Sequence, residues 1–190
     1  MLYPHVILAL AFIFVCTTQG ICQDDGTGLT SNDLRESYLA DAEALTLTQK
    51  KVGDHLISML DDPACPIQQR LQAGALLGRM KYLPAIDALI RNIELKIPQY
   101  DGIRDNPSIT RPIVRALAMY GDIAAPQIVI AFSKSHSSDA RYLLARSLRE
   151  AKSTETAIQY ARGFTAPENG TELEMERARY LIVVLTGKRQ

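Results

Sequence analysis

The chain repeats itself. Residues 76–90 read LLGRMKYLPAIDALI, and residues 116–130, forty positions later, read ALAMYGDIAAPQIVI. The offset carries Leu77 onto Leu117, Met80 onto Tyr120, Ala85 onto Ala125, Leu89 onto Val129 and Ile90 onto Ile130. A second echo joins Ala140-Arg141-Tyr142-Leu143-Leu144 to Ala178-Arg179-Tyr180-Leu181-Ile182, thirty-eight residues on, and Ala157-Ile158 follows Ala125-Pro126 by thirty-two. A period of about 30–40 residues is two helices and their turns, a unit that cannot bury its apolar face alone. Stacked units are therefore the expected architecture, with an irregular helical bundle as the alternative.

Local signals agree with an all-α class. No β-branched run alternates with polar residues, Trp is absent, and Ala, Leu and Ile dominate. Start and stop signals mark about nine helices. The first two run near 31–44 and 48–60, the second with an apolar stripe of Val52, Leu56, Met59 and Leu60. Pro63 and Pro66 precede a third over 66–80, with Ile67, Leu71, Gly74 and Leu77 on one side. Pro84 opens a fourth that runs to Ile97, followed by the longest internal loop, 98–107. A fifth over 108–120 stops at Gly121, and Pro126 sits in the first turn of the sixth. Ser137 or Ser138 caps the seventh near 138–151, and Ser153 or Thr154 the eighth near 154–163. Thr171 and Glu174 have capping-box spacing for the ninth, 171–186. Leu77, Leu89 and Ile130 are expected in the core. Small residues at Ala73, Gly74, Ala75, Ala116 and Ala118 let helices approach closely.

The pattern resembles the HEAT repeat family in its short bacterial form. The resemblance is carried by Leu77-Gly78-Arg79-Met80, Ala85-Ile86, Ala88-Leu89-Ile90, Tyr120-Gly121-Asp122 and Ala125, with Leu60-Asp61-Asp62-Pro63 similar to the linker between units. It spans roughly residues 48–186 and is strongest over 66–96. The glycine–aspartate turn is replaced by Lys81-Tyr82 in that unit and by Ala151-Lys152 in the fourth. The resemblance implies a short α-solenoid of stacked antiparallel helix pairs, working as a protein-binding surface. In that family the second helix of each pair lines the concave side. Here those helices carry Asp87, Arg91, Glu94, Gln127, Lys134 and Gln159, the expected partner-binding residues. The forty-residue offset sets Asp87 on Gln127 and Glu94 on Lys134, and thirty-two more sets Gln127 on Gln159.

Residues 6–16, VILALAFIFVC, are an unbroken apolar run, well short of the roughly 20 residues a membrane span needs. The run suits a secretory signal peptide, and the small stretch after it places cleavage behind Gly20. The n-region lacks Lys and Arg, which leaves an uncleaved anchor as the alternative. The expected organisation is a signal peptide over 1–20, a leader over 21–30 and a helical repeat domain over 31–190. Export places the mature chain in a periplasm, an envelope or the extracellular space, with no stable membrane span after cleavage. In such an oxidising compartment Cys22 and Cys65 are a candidate disulfide. Lys and Arg number 21, as do Asp and Glu, so the charge balances. A nucleic-acid partner, which calls for a basic excess, is not expected.

Catalytic chemistry is sought and not found. His55 and His136 have no metal-ligand spacing around them. Ser135-His136-Ser137-Ser138-Asp139 holds the letters of a triad, but neighbours in a turn point apart, and the stretch reads as a loop ending in a helix cap. Glu172, Glu174 and Glu176 suit the positive end of a helix. Arg141, Arg146, Arg149 and Lys152 make one helix basic; a solvated face accounts for this, and an anionic membrane surface or an acidic partner is the sharper reading. The expectation is a non-enzymatic binding or scaffold protein without cofactor or metal, taking a protein or peptide. The alternatives are an accessory subunit of a lyase-like enzyme, or an oligomer formed through the last helix, where Ile182 and Leu185 lack a following partner helix.

Overall fold

The computed structural model describes residues 31–98, 110–165 and 170–187. The expected signal peptide, the leader with Cys22 and nearly all of the 98–107 loop lie outside the described residues. Among the described residues every regular element is a helix and there is no strand. No single helix there is long and apolar enough to cross a membrane.

The chain divides into two units, 1–46 and 47–190. Of the first, residues 31–46 are helical, and their described side chains are exposed. The helix they belong to, α1 (Ser31–Asp61), is continuous. The two helices expected near 31–44 and 48–60 are thus one. The Leu-Thr-Leu-Thr stretch between them holds neither Gly nor Pro, and the Thr46 hydroxyl donates to the Ala42 carbonyl at 2.8 Å, a bond a continuing helix accommodates.

The second unit begins within α1. Gly53, Leu56 and Leu60 are its buried residues there, whereas Val52 is exposed, contrary to the expected stripe. Burial starts at Gly53 because the ring of Tyr82 lies on it: a Cβ at that glycine would sit 2.4 Å from Tyr82 Cδ1. After the Pro63–Pro66 break come α2 (Ile67–Met80), a 3₁₀ turn (Leu83–Ala85) and α3 (Ile86–Arg91). α3 stops well short of the expected Ile97, at Asn92, whose side-chain amide turns back to the Ala88 carbonyl. Next are α4 (Pro112–Ala118), a 3₁₀ turn (Gly121–Ala124) and α5 (Ala125–Lys134). α6 (Ser138–Glu150), α7 (Thr154–Phe164) and α8 (Glu172–Thr186) complete the unit.

The helices of this unit pack on one another in several pairs. α2 packs on α4, α4 on α6 and α6 on α8; α3 packs on α5 and α5 on α7. α3 also touches α4, α5 touches α6 and α8, and α7 touches α8. The α2–α4 contact is close because Gly78 meets Ala116: a Cβ on Gly78 would lie 2.6 Å from Ala116 Cα. Gly74 likewise receives the Ile113 side chain.

The forty-residue offset reappears as burial. Leu77 and Leu117, and Ala85 and Ala125, are fully buried pairs, and Leu89 and Val129 form a third. Ile130 departs from expectation and is 40 % exposed. On α5 the inward stripe is Ala125, Ile128, Val129 and Phe132, spaced three and four apart, and Ile130 falls on the opposite side. The replaced glycine–aspartate turns also keep their backbone. Lys81, Gly121 and Lys152 all have positive φ, at 51°, 60° and 59°. The left-handed residue after α2, α4 and α6 survives even where its residue type is unfavourable.

Candidate functional site

The six expected partner-binding residues are all exposed. Asp87 and Arg91 stand on α3, Gln127 and Lys134 on α5, and Gln159 on α7, helices that pack in succession. Asp87, Gln127 and Gln159 each come two residues after a fully buried alanine, Ala85, Ala125 and Ala157. The other three are engaged differently. Arg91 pairs with Asp61 at 2.6 Å. The other Asp61 oxygen accepts from Asn92, and Asn92 accepts from Arg70, whose Nε also donates to the Leu60 carbonyl at 2.9 Å. Arg91 thereby belongs to a polar knot holding the end of α1 to α2 and α3. Glu94 lies beyond α3 and accepts from the Ser137 hydroxyl at the start of α6, not from Lys134, its partner by offset. Lys134 acts on Glu174 instead. The Thr171 backbone N–H and hydroxyl hold the Glu174 carboxyl below the usual carboxylate range, and the charges of Lys134 and Arg177 add to the effect.

A second arrangement brings the basic helix of the sequence together with the last helix. A cleft of about 260 Å³ opens between α6 and α8. From α6 it is lined by Ser138, Arg141, Tyr142, Ala145, Arg146 and Arg149, whose spacing of three and one puts them on one helix face. From α8 it is lined by Tyr180 and Val184, one turn apart, and the buried ring of Phe132 lies beneath. Tyr142 and Tyr180 are 57 % and 58 % exposed, although the leucines that follow them, Leu143 and Leu181, are buried. Arg141 donates to the Ser135 carbonyl at 2.9 Å, and Arg149 to the Val184 carbonyl. Arg146 pairs with Glu150 at 2.8 Å. A carbonyl orients a guanidinium without cancelling its charge, so the cleft keeps a positive wall.

Two sequence signals point to this cleft. One is the thirty-eight-residue echo, which sets Tyr142 and Tyr180 at equivalent places on packed helices. The other is the run of arginines, which a sequence reading assigns most simply to solvent.

The Ser135–Asp139 stretch behaves as a loop and cap. Ser137 Oγ accepts from the Ala140 N–H at 3.1 Å, the Ser135 hydroxyl turns to the Ser137 carbonyl, and His136 is exposed. Thr171 and Glu174 form the full capping box. Ser153 stands at the N-cap of α7 without a side-chain capping bond; it is buried, and its hydroxyl is directed back to the Ala151 carbonyl. Cys65 is a thiol near Gln69 Oε1, while its candidate partner Cys22 is outside the described residues. Leu185, expected to be partly uncovered at the end of the fold, is buried, and Ile182 is half-buried. Among the described residues no three His, Cys, Asp or Glu side chains are grouped as a metal set would be. Compared with protein-family models, with curated proteins and with solved structures, the chain finds no significant match.

Proposed function

We propose that this protein is an exported, non-catalytic binding module, a short HEAT-like stack of antiparallel helix pairs that holds a protein or peptide partner along its second helices. The observation that carries this reading is the row Asp87, Gln127 and Gln159. Each is an exposed polar residue two positions past a fully buried alanine, on α3, α5 and α7 in succession. The same position presented repeatedly on adjacent helices makes a continuous recognition strip from a single repeated choice, which is how repeat proteins make extended binding faces. Helices about 8–10 Å apart give the strip a length of roughly 20 Å. Export is supported by the apolar run at 6–16.

The test is a peptide library selected against the purified protein. Selected binders are then measured against a variant carrying Asp87→Lys, Gln127→Lys and Gln159→Lys together. A control carrying Gln68→Lys, Gln72→Lys and Asp122→Lys changes the charge equally at exposed sites elsewhere. The row variant is expected to lose binding and the control to keep it. Equal binding by both removes the row as the site.

A further inference from the structure

We propose that the α6–α8 cleft is a second binding site, specific for an acidic peptide lying extended along α6. This site is separate from the row on the second helices and does not depend on it.

The argument starts from the face of α6. Ser138, Arg141, Tyr142, Ala145, Arg146 and Arg149 occupy one side of it, and at 1.5 Å per residue they extend about 16 Å. An extended chain of about five residues covers that distance. The lining residues include three arginines and no carboxylate. Of the three arginines, Arg146 pairs with Glu150, and the charges of Arg141 and Arg149 remain for a ligand. Both donate to main-chain carbonyls, which holds each guanidinium in place without neutralising it and leaves further N–H donors on each fork for a carboxylate. Arg141 and Arg149 are eight residues, about 12 Å, apart, which suits two acidic side chains on one peptide rather than a single small anion.

Between the charges the wall is apolar. Phe132, Ala145 and Val184 line the cleft, with the exposed rings of Tyr142 and Tyr180 on α6 and α8. A volume of about 260 Å³ is below the roughly 300–1,000 Å³ of drug-sized ligand sites, and it accommodates one large side chain. The matching ligand has an aromatic or aliphatic residue flanked by Asp or Glu. Tyr and Arg together are the residue types that dominate binding energy at protein interfaces. A membrane surface fits less well, because the basic wall lies inside a cleft and Glu172 and Glu176 stand exposed on the first turns of α8. A nucleic acid fits less well because the chain as a whole has no net charge.

The test uses fluorescent peptides with one Phe, Leu or Tyr between Asp and Glu residues. Comparison probes are the Asn/Gln versions, a Lys version, anionic lipid vesicles and a single-stranded oligonucleotide. Acidic peptides are expected to bind in a salt-sensitive manner. Arg141→Gln with Arg149→Gln should weaken them by at least about tenfold, as should Tyr142→Ala with Tyr180→Ala. The tyrosine pair is exposed, so that variant tests the site even if loss of the Arg149–Val184 bond unsettles the fold. The Asp87/Gln127/Gln159 variant should bind these peptides as the parent protein does, so failure here and failure of the second-helix row give different results. Binding of the Asn/Gln peptides as tight as of the acidic ones overturns the proposal, as does unchanged affinity in the tyrosine variant. So does binding of vesicles or oligonucleotide without binding of acidic peptide.

Discussion

Tyr120 shows how one side chain serves both packing and hydrogen bonding. It takes the place that Met80 has one repeat earlier, and its hydroxyl reaches the carbonyls of Leu77 and Tyr82 at 3.0 and 2.9 Å. Those two carbonyls belong to the end of α2 and the turn after it, so the ring ties them to the residues just after α4. Tyr120→Phe keeps the ring and removes the hydroxyl's bonds, while both carbonyls keep backbone N–H donors; thermal or urea unfolding should show a loss of about 0.5–1.5 kcal/mol. Burial raises the phenol from 10.0 to about 12. Its folded value lies above the unfolded one, so the neutral form is the one folding favours. That contribution is intact below pH about 10 and is lost as pH rises towards 12. Between those values the parent protein should lose stability more steeply than Tyr120→Phe, as followed by circular dichroism. Lys81 and Lys152 illustrate the opposite economy, side chains retained at a conformation that suits glycine. A non-glycine residue in the left-handed region costs about 1–2 kcal/mol, and glycine returns about 0.4–1 of that through unfolded-state entropy. Lys81→Gly and Lys152→Gly should each stabilise by about 0.5–1 kcal/mol in urea titration.

Between elements, the decisive distances are at glycines rather than at large apolar residues. At Gly78 two effects compete. Alanine gains up to about 1 kcal/mol in helix propensity, while overpacking a tight contact costs about 1–3. The contact is with the Ala116 backbone, which cannot rotate away, so overpacking wins. Gly78→Ala should destabilise by about 1–2 kcal/mol, and Gly78→Val by more, measured by equilibrium unfolding. The start of α8 offers a contrasting, local case. Thr171→Ala removes one half of the capping box and should cost about 0.5–2 kcal/mol. Glu174 has its folded value lowered, so its contribution is present above the normal carboxylate range and disappears as pH falls below it. An acid titration of Glu174→Gln should therefore lack part of the loss seen in the parent. The sequence marks two helices, near 31–44 and 48–60, where the structure has the single helix α1. Periodicity reports the face a helix buries, and where the described side chains are exposed on all sides there is no face to report.

Across the unit 47–190 the core is continuous, with Leu60, Leu77, Leu89, Leu117, Phe132, Leu148 and Leu181 among its fully or nearly fully buried side chains. Leu89→Ala at its centre should cost about 2–5 kcal/mol and lower the melting temperature clearly. Much of this was legible in sequence: helical class, the breaks at proline and glycine, the capping box, and the repeated positions Leu77/Leu117 and Ala85/Ala125. All of these follow from interactions within a turn or two of chain, or from a period that chain-local burial imposes. Tertiary structure alone decided the rest. Arg91 joins Asp61 and Asn92 because the end of α1 lies beside α3. Arg141, Arg149, Tyr142 and Tyr180 line one cleft because α6 and α8 are neighbours. Each depends on residues thirty or more positions apart meeting across a packed interface, and a linear pattern shows which side of a helix is apolar but not which helix will cover it.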